Sequence, residues 1–286
     1  MTDDKRILWL VSYPKSGNTW VRILLNGLLS GDSAVGTTDL NALDVTDHAA
    51  ARWLVETVSA CPTSELTESE IDRLRAVAYG AVIDRRSGPV FMKVHDAYRM
   101  LDNEQEIFPQ RLSKLAIYLI RNPLDVAVSF AAHLGVAIDQ AIEFMAQDFY
   151  LAHEKGGALA QVPQCLGSWS RHVASWQAQP AIRVLTVRYE DLSSDTAQQL
   201  RRIAVAAGLP AEDAAIGRAV EAAKFDRLQK LERTSGFREK PPTQNGLFFR
   251  SGRAGGWREV LEGHQVDQLV ASHHATMARF GYLDDL

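Results

Sequence analysis

Four short segments hold the residues in this chain that could do chemistry together. The first, residues 13–20 (YPKSGNTW), sets Lys15, Ser16 and Gly17 between an apolar run at 7–11 and an apolar-periodic stretch beginning near Thr19. Strand, tight loop and helix in that order make an anion site. Free backbone N–H groups and the positive end of the helix dipole favour a phosphate-like group, and Lys15 adds a full charge. Gly17 lets the backbone approach a ligand closely. Asn18 and Thr19 suit an N-cap that also bonds an anion. The lysine precedes the only glycine, so the order is not G-x-x-x-x-G-K-[ST]. By itself, Lys-Ser-Gly describes a capped turn with a surface lysine; the eight-residue string is far more specific.

The second segment, 120–129 (IRNPLDVAVS), begins a helix well. Asn122 can cap, Pro123 fits the first helical position and Asp125 complements the dipole, so those three have a sufficient structural explanation. Arg121 and Ser129 do not; they could share a second phosphate, the guanidinium binding it bidentately. In the third, 92–98 (MKVHDAY), His95 lies just past an apolar strand beside Lys93. A neutral imidazole there suits a general base, although a single histidine is more often structural. The fourth, 248–257 (FFRSGRAGGW), holds Arg250, Ser251, Gly252 and Gly255 in what is otherwise a basic surface loop.

These segments need a scaffold that brings strand ends together. Apolar runs at 7–11, 89–94, 114–120 and 182–187 read as strands, and each ends in polar residues. Helical patterns separate them at 49–58, 68–79, 123–134, 138–153, 166–176, 196–207 and 213–223, with a last one at 265–279. The alternation predicts an α/β three-layer sandwich with a mainly parallel central sheet of about four or five strands. Ligands in such sheets bind outside the carboxyl ends of the strands. Residues 234–256 show no periodicity, which marks a functional or mobile segment. Their glycines and the cations Arg238, Lys240, Arg250 and Arg253 predict a lid that orders around a bound anion, latched by Phe248 and Phe249.

Composition narrows the classes. The 286 residues, 46% apolar and 23% charged, are those of an ordinary globule, read as one domain over 1–286. A net charge of −4 gives no support to nucleic-acid binding. Cys61 and Cys165 lie far apart and read as reduced thiols. With no signal-peptide pattern and no span-length apolar run, a cytoplasmic protein with no membrane partner is expected.

The four segments together resemble the PAPS-dependent sulfotransferases, which move a sulfuryl group from 3′-phosphoadenosine 5′-phosphosulfate (PAPS) to an acceptor. The resemblance, spanning residues 13–257, points to a cytosolic-type, bacterial small-molecule enzyme with a P-loop-like nucleotide-binding fold. It implies that residues 15–20, namely Lys15, Ser16, Gly17, Asn18, Thr19 and Trp20, surround the 5′-phosphosulfate end. Arg121, Ser129, Arg250, Ser251 and Gly252 are implied to hold the 3′-phosphate, and Trp20, Tyr189 and Phe225 to surround the adenine. His95 is the implied base, with Lys15 and Lys93 on the transferring group. This sequence departs where many relatives have Lys in place of Ser251 and Asp in place of Gly256; Arg253 is the neighbouring cation that could supply the missing charge.

The expected reaction therefore yields adenosine 3′,5′-bisphosphate (PAP), uses no metal, and sulfates a small-molecule hydroxyl, phenolic or on a glycosylated secondary metabolite. The acceptor wall is expected from 31–47, 98–105 and 134–164, and the protein from monomer or homodimer. Two alternatives stand beside this reading. A nucleotide-dependent phosphotransferase would need Mg²⁺ ligands, and a non-catalytic nucleotide-binding module would leave His95 unused.

Overall fold

The structure is a computed structural model that describes residues 5–30, 39–43, 45–102, 104–151, 160–284 and 286. In chain order the elements are β1 (Ile7–Ser12), α1 (Asn18–Leu29), β2 (Thr46–His48), α2 (Arg52–Ser59), α3 (Glu68–Arg85), β3 (Val90–Val94), β4 (Ser113–Ile120), α4 (Pro123–Leu134) and α5 (Ile138–Ala146). They continue with β5 (Tyr150–Leu151), β6 (Gln164–Cys165), α6 (Trp169–Ala178), β7 (Val184–Arg188), α7 (Tyr189–Ser194), α8 (Thr196–Ala207), α9 (Asp213–Ala222), α10 (Phe225–Ser235) and α11 (Gly263–Arg279).

Five strands form one all-parallel sheet in the order β2-β3-β1-β4-β7. β1 lies at the centre and is buried along its whole length, which is why it reads as a continuous apolar run rather than an alternating one. Its alternate residues serve two cores. Ile7, Trp9 and Val11 face a layer built with α2 through α6 and α11, while Leu8 and Leu10 face α1, α8 and α9. The chain crosses to opposite sides of β1 when it forms β3 and β4. The crevice at that reversal, outside the carboxyl ends of β1, β3 and β4, is where open α/β sheets bind ligands.

Several boundaries differ from expectation for physical reasons. The helix expected from residue 49 begins only at Arg52, because Thr46–His48 pairs with β3 as a short edge strand. The helix expected over 138–153 ends at Ala146, after which Phe149 stacks on Phe144 at 4.5 Å and its carbonyl accepts the Leu166 N–H. Tyr150–Leu151 then pairs with Gln164–Cys165 in a separate antiparallel ladder. α10 went unforeseen, although Phe225, Leu228 and Leu231 lie at helical spacing and pack on the core. Cys61 and Cys165 are unpaired thiols. No single helix among the described residues is long and apolar enough to cross a membrane.

One buried ion pair fastens the turn after β3. Arg75 of α3 and Asp96 are both fully buried and joined by two hydrogen bonds, at 3.2 and 2.5 Å. Asp96 also accepts the Cys165 N–H at 3.0 Å, and its carbonyl accepts the Trp176 indole at 2.9 Å. Removing one partner strands a charge in the core. Arg75→Ala is therefore expected to lose about 3–5 kcal/mol of stability, read as a lower urea midpoint at an unchanged slope. A loss below about 1 kcal/mol would show that water reaches Asp96.

Candidate active site

A cavity of about 860 Å³ opens at the strand ends, and its wall includes Lys15, Lys93, His95, Arg121, Ser129, Tyr189, Phe225 and Arg250. Residues from all four sequence segments thus border one space. Gly17, Asn18, Thr19, Trp20, Ser251 and Gly252 border it too.

The first loop is shaped by backbone geometry. Lys15 has φ of 69° and Gly17 of 98°, both in the left-handed region. Gly17, not Asn18, is the residue that caps α1, and a Cβ on it would lie 2.7 Å from the Tyr189 ring. Only glycine meets both demands. Asn18 instead ties the loop down, its amide donating to the Leu10 carbonyl at 3.0 Å. The N–H groups of the first helical turn have no intrahelical acceptor. The buried Ser16 hydroxyl and the buried Arg121 Nε have no hydrogen-bond partner. Orphan donors around a cationic loop fit an anionic group.

Lys15 itself is strongly perturbed. Burial, then the charges of Lys93, Arg121 and Arg250, push its pKa down to about 7. Its ammonium sits 4.1 Å from the centre of the Phe248 ring, a cation–π contact that compensates part of the lost hydration. Arg121 stacks 4.1 Å over Tyr189 and donates to the carbonyls of Lys15 (3.3 Å) and Arg253 (3.1 Å), stitching the first loop to the last.

His95 is held in one tautomer. Its Nδ1 donates to the Ser12 carbonyl at 2.8 Å, leaving the lone pair on Nε2. Burial, then Lys93, hold its pKa well below the usual histidine value, so the ring is neutral at pH 7. A relay behind it fixes the backbone. Tyr118 donates to His172 Nδ1 (2.7 Å), and His172 Nε2 donates to the His95 carbonyl (3.0 Å). His48, in register with Lys93 at the end of β2, places its ring 6.1 Å from that of His95.

Trp20, Tyr189 and Phe225 lie along the cavity wall. Trp20 donates its indole N–H to Ala223 and lies 5.7 Å from Tyr189, whose hydroxyl donates to the Gly252 carbonyl at 2.7 Å. Gly252, with φ of 64°, packs so tightly on Phe225 that a Cβ would come within 2.4 Å of the ring.

The late segment has anchors beyond the expected Phe248 and Phe249: Phe237 packs with both, and the buried Glu232 carboxylate of α10 accepts the N–H groups of Phe248 and Phe249. Asp125 does more than complement a helix start, since it accepts the N–H groups of Gly255 (2.8 Å) and Trp257 (3.1 Å). Arg253 does not supply the missing cavity charge. It is exposed, paired with Glu259 at 3.2 Å.

Sequence reasoning missed Arg22 and Glu239. Glu239 reaches the cavity wall and bonds Arg22 Nη1 at 2.6 and 2.8 Å. An arginine inside the apolar string VRILL was a signal for the first; nothing announced the second. Of the expected acceptor wall, none of the described residues in 98–105 borders the cavity, while Leu40, Asn41, Leu43, Thr46, Asp47, Leu151, Ala160 and Gln161 do. Residues 31–38, 44, 103 and 152–159 of that wall lie outside the described residues. Among the described residues no group of three His, Cys, Asp or Glu side chains could hold a metal ion.

Comparison with known proteins follows the same lines. The family model "Sulfotransferase domain" matches residues 5–281. The chain is 21% identical over 274 residues to the flavonol 3-sulfotransferase of Flaveria bidentis, covering 92% of this chain and 78% of the relative. It is 25% identical over 272 residues to cytosolic sulfotransferase 12 of Arabidopsis thaliana, covering 91% and 74%. Among solved structures, a retinol dehydratase in complex with androsterone and PAP superposes with a TM-score of 0.64 at 18% identity, over 95% of this chain and 80% of that one. A mouse sulfotransferase complexed with PAP gives 0.59 at 18% identity, over 96% and 85%. At that identity the likeness is one of fold.

Lys15 yields a test that assumes nothing about the reaction. With its pKa near 7, the free side chain is largely unprotonated at pH 8. A phosphate anion beside it favours the charged form, so binding must take up a proton, and affinity must fall as pH rises above 7. Calorimetry of PAP binding in buffers of differing ionisation enthalpy is expected to show net uptake at pH 8, abolished in Lys15→Met. Uptake that survives the substitution would assign the proton to another group.

Proposed function

The chain belongs to the sulfotransferase domain family, and from that premise we propose that it transfers the sulfuryl group of PAPS to the hydroxyl of a small aromatic molecule. The observation that carries the reading is the convergence of four strand-end segments on one cavity, where cations flank a neutral histidine with its lone pair on Nε2. The PAP in the names of the two solved neighbours supports the same donor.

The residues fit that donor by their chemistry. The first loop, with its orphan Ser16 hydroxyl and the charge of Lys15, would hold the 5′-phosphosulfate end. Arg121, Ser129 and Arg250, with the Ser251–Gly252 backbone, would hold the 3′-phosphate, and Trp20, Tyr189 and Phe225 would frame the adenine. Bound there, PAPS supplies an activated sulfuryl group whose leaving group is the 5′-phosphate.

What remains for the protein is positioning and charge, as in phosphoryl transfer. His95 Nε2 accepts the acceptor's hydroxyl proton, while Nδ1 stays on the Ser12 carbonyl and fixes the ring. Lys15 and Lys93 offset the negative charge that builds on the bridging and sulfuryl oxygens. A low pKa makes His95 available as a base across the neutral range.

The acceptor reading rests on the rest of the wall. Trp53, Ala51, Leu151, Pro241, Pro242 and Phe248 offer flat and apolar surface, which suits a planar phenolic ring. The flavonol sulfotransferases among the relatives support that class. A phosphotransferase would need metal ligands beside the phosphates, and a binding module would not need a tautomer-fixed histidine.

Two measurements test the reading. PAP is expected to bind at least about tenfold more tightly than 5′-AMP, because charge-assisted bonds to the 3′-phosphate are worth roughly 1.5–3 kcal/mol each. Equal affinities by calorimetry would remove Arg121, Ser129 and Arg250 from that role. His95→Ala is expected to lower kcat for labelled-sulfate transfer to a panel of phenols by about 10²-fold or more, with PAP affinity nearly unchanged. Full activity would mean that another base is used, and lost PAP binding would make His95 a structural residue.

A further inference from the structure

Lys93 does not enter the cavity alone. Its Nζ lies 3.4 Å from Oε2 of Glu239, on the irregular segment that follows α10. The same carboxylate takes two bonds from Arg22 Nη1, at 2.6 and 2.8 Å, and Arg22 Nε donates to Thr46 Oγ1 at 2.7 Å. One chain of contacts thus joins β2, α1, the late segment and β3, and every member borders the cavity.

Resting on the proposed sulfuryl transfer, we propose that Glu239 is a positioning residue for that reaction: its carboxylate, fixed by Arg22, holds the Lys93 ammonium group at the cavity wall beside His95. The geometry divides the labour unequally. Arg22 makes the short, double contact, so most of the carboxylate's charge is already matched. Lys93 makes a single long contact, which orients it without neutralising it. Two of its three N–H donors stay available for sulfuryl oxygens. A lysine placed there without a carboxylate would be a buried cation facing other cations.

The charged and titratable neighbours make that consequence concrete. Lys93 faces Glu239 from the late segment, Arg22 from α1, Lys15 from the first loop, His95 from its own strand end and, in register, His48 from β2. Glu239 is the acid in that set. Burial pushes the Lys93 pKa down and Glu239 pushes it back up. Burial would raise the Glu239 carboxyl, yet Lys93 and Arg22 hold it down at about 2, so it is ionised throughout the working range.

The experiment compares wild type, Glu239→Gln and Glu239→Asp in PAPS-dependent sulfation of a nitrophenol as a function of pH. Glu239→Gln is expected to lower kcat about tenfold or more, with PAP affinity within about twofold of wild type, and to move the alkaline limb of the kcat profile to lower pH. Glu239→Asp is expected to recover most of the loss. A wild-type profile in Glu239→Gln overturns the inference. So does a raised kcat, which would make the carboxylate a clamp to be displaced. A parallel loss of PAP affinity also overturns it, by making Glu239 a brace for the segment.

A second readout does not need turnover. The Lys93 side-chain nitrogen, followed by NMR, is expected to lose its proton at lower pH in Glu239→Gln. Unchanged titration overturns the inference whether or not transfer is observed, whereas a wild-type protein that transfers to no acceptor overturns only the proposed function.

Discussion

The structure is organised around the difficulty of gathering cations in a place with little water. Lys15, Lys93, Arg22, Arg121 and Arg250 all border one cavity, beside a helix N-terminus that is itself positive. Like charges in low dielectric repel strongly, and each loses hydration on burial. The depressed pKa of Lys15 expresses that cost directly. The chain as a whole carries −4, so the positive field is a local construction and not a reflection of composition. It is offset by means that preserve most of the charge for a ligand: the aromatic faces of Phe248 and Tyr189, backbone carbonyls turned toward Arg121, and a few carboxylates, chiefly Glu239 on Arg22 and Lys93, with Asp125 4.0 Å from Arg121.

Carboxylates do a second job that follows from the first. The late segment has little regular structure, yet its position decides whether Arg250 and Gly252 face the cavity. Glu232 gathers the N–H groups of Phe248 and Phe249, and Asp125 gathers those of Gly255 and Trp257. A buried acid accepting several backbone donors replaces the ladder that a strand would have used. Glu190 likewise accepts the Asn122 N–H and the Tyr282 hydroxyl, tying the start of α4 to the segment after α11. Tight contacts between Gly252 and Phe225 then set the loop's distance from the start of α10.

His95 depends on neighbours that do not border the cavity. Arg75 and Asp96 pin the turn after β3, while Tyr118 and His172 hold the His95 carbonyl. With its backbone clamped and Nδ1 bonded to Ser12, the ring has one orientation and one tautomer. Preorganisation of that kind keeps the cost of ordering out of the chemical step.

Much of this was legible beforehand, and the reasons separate cleanly. Sequence alone determined the α/β alternation, since buried parallel strands such as Ile7–Ser12 write themselves as apolar runs and long helices as 3.6-residue periods. It also carried the four polar segments at the strand ends, because a tight turn from strand into helix, with its Lys, left-handed Gly and helix start, is local and neighbouring residues can spell it out. Tertiary structure decided what depends on residues distant in sequence. Glu239 meets Arg22 across 217 positions and Lys93 across 146, and Asp125 meets Trp257 across 132. No local pattern encodes such a meeting. Whether a charge is free, paired or half-neutralised is set by burial and by which carboxylate arrives, and those are properties of the packed chain.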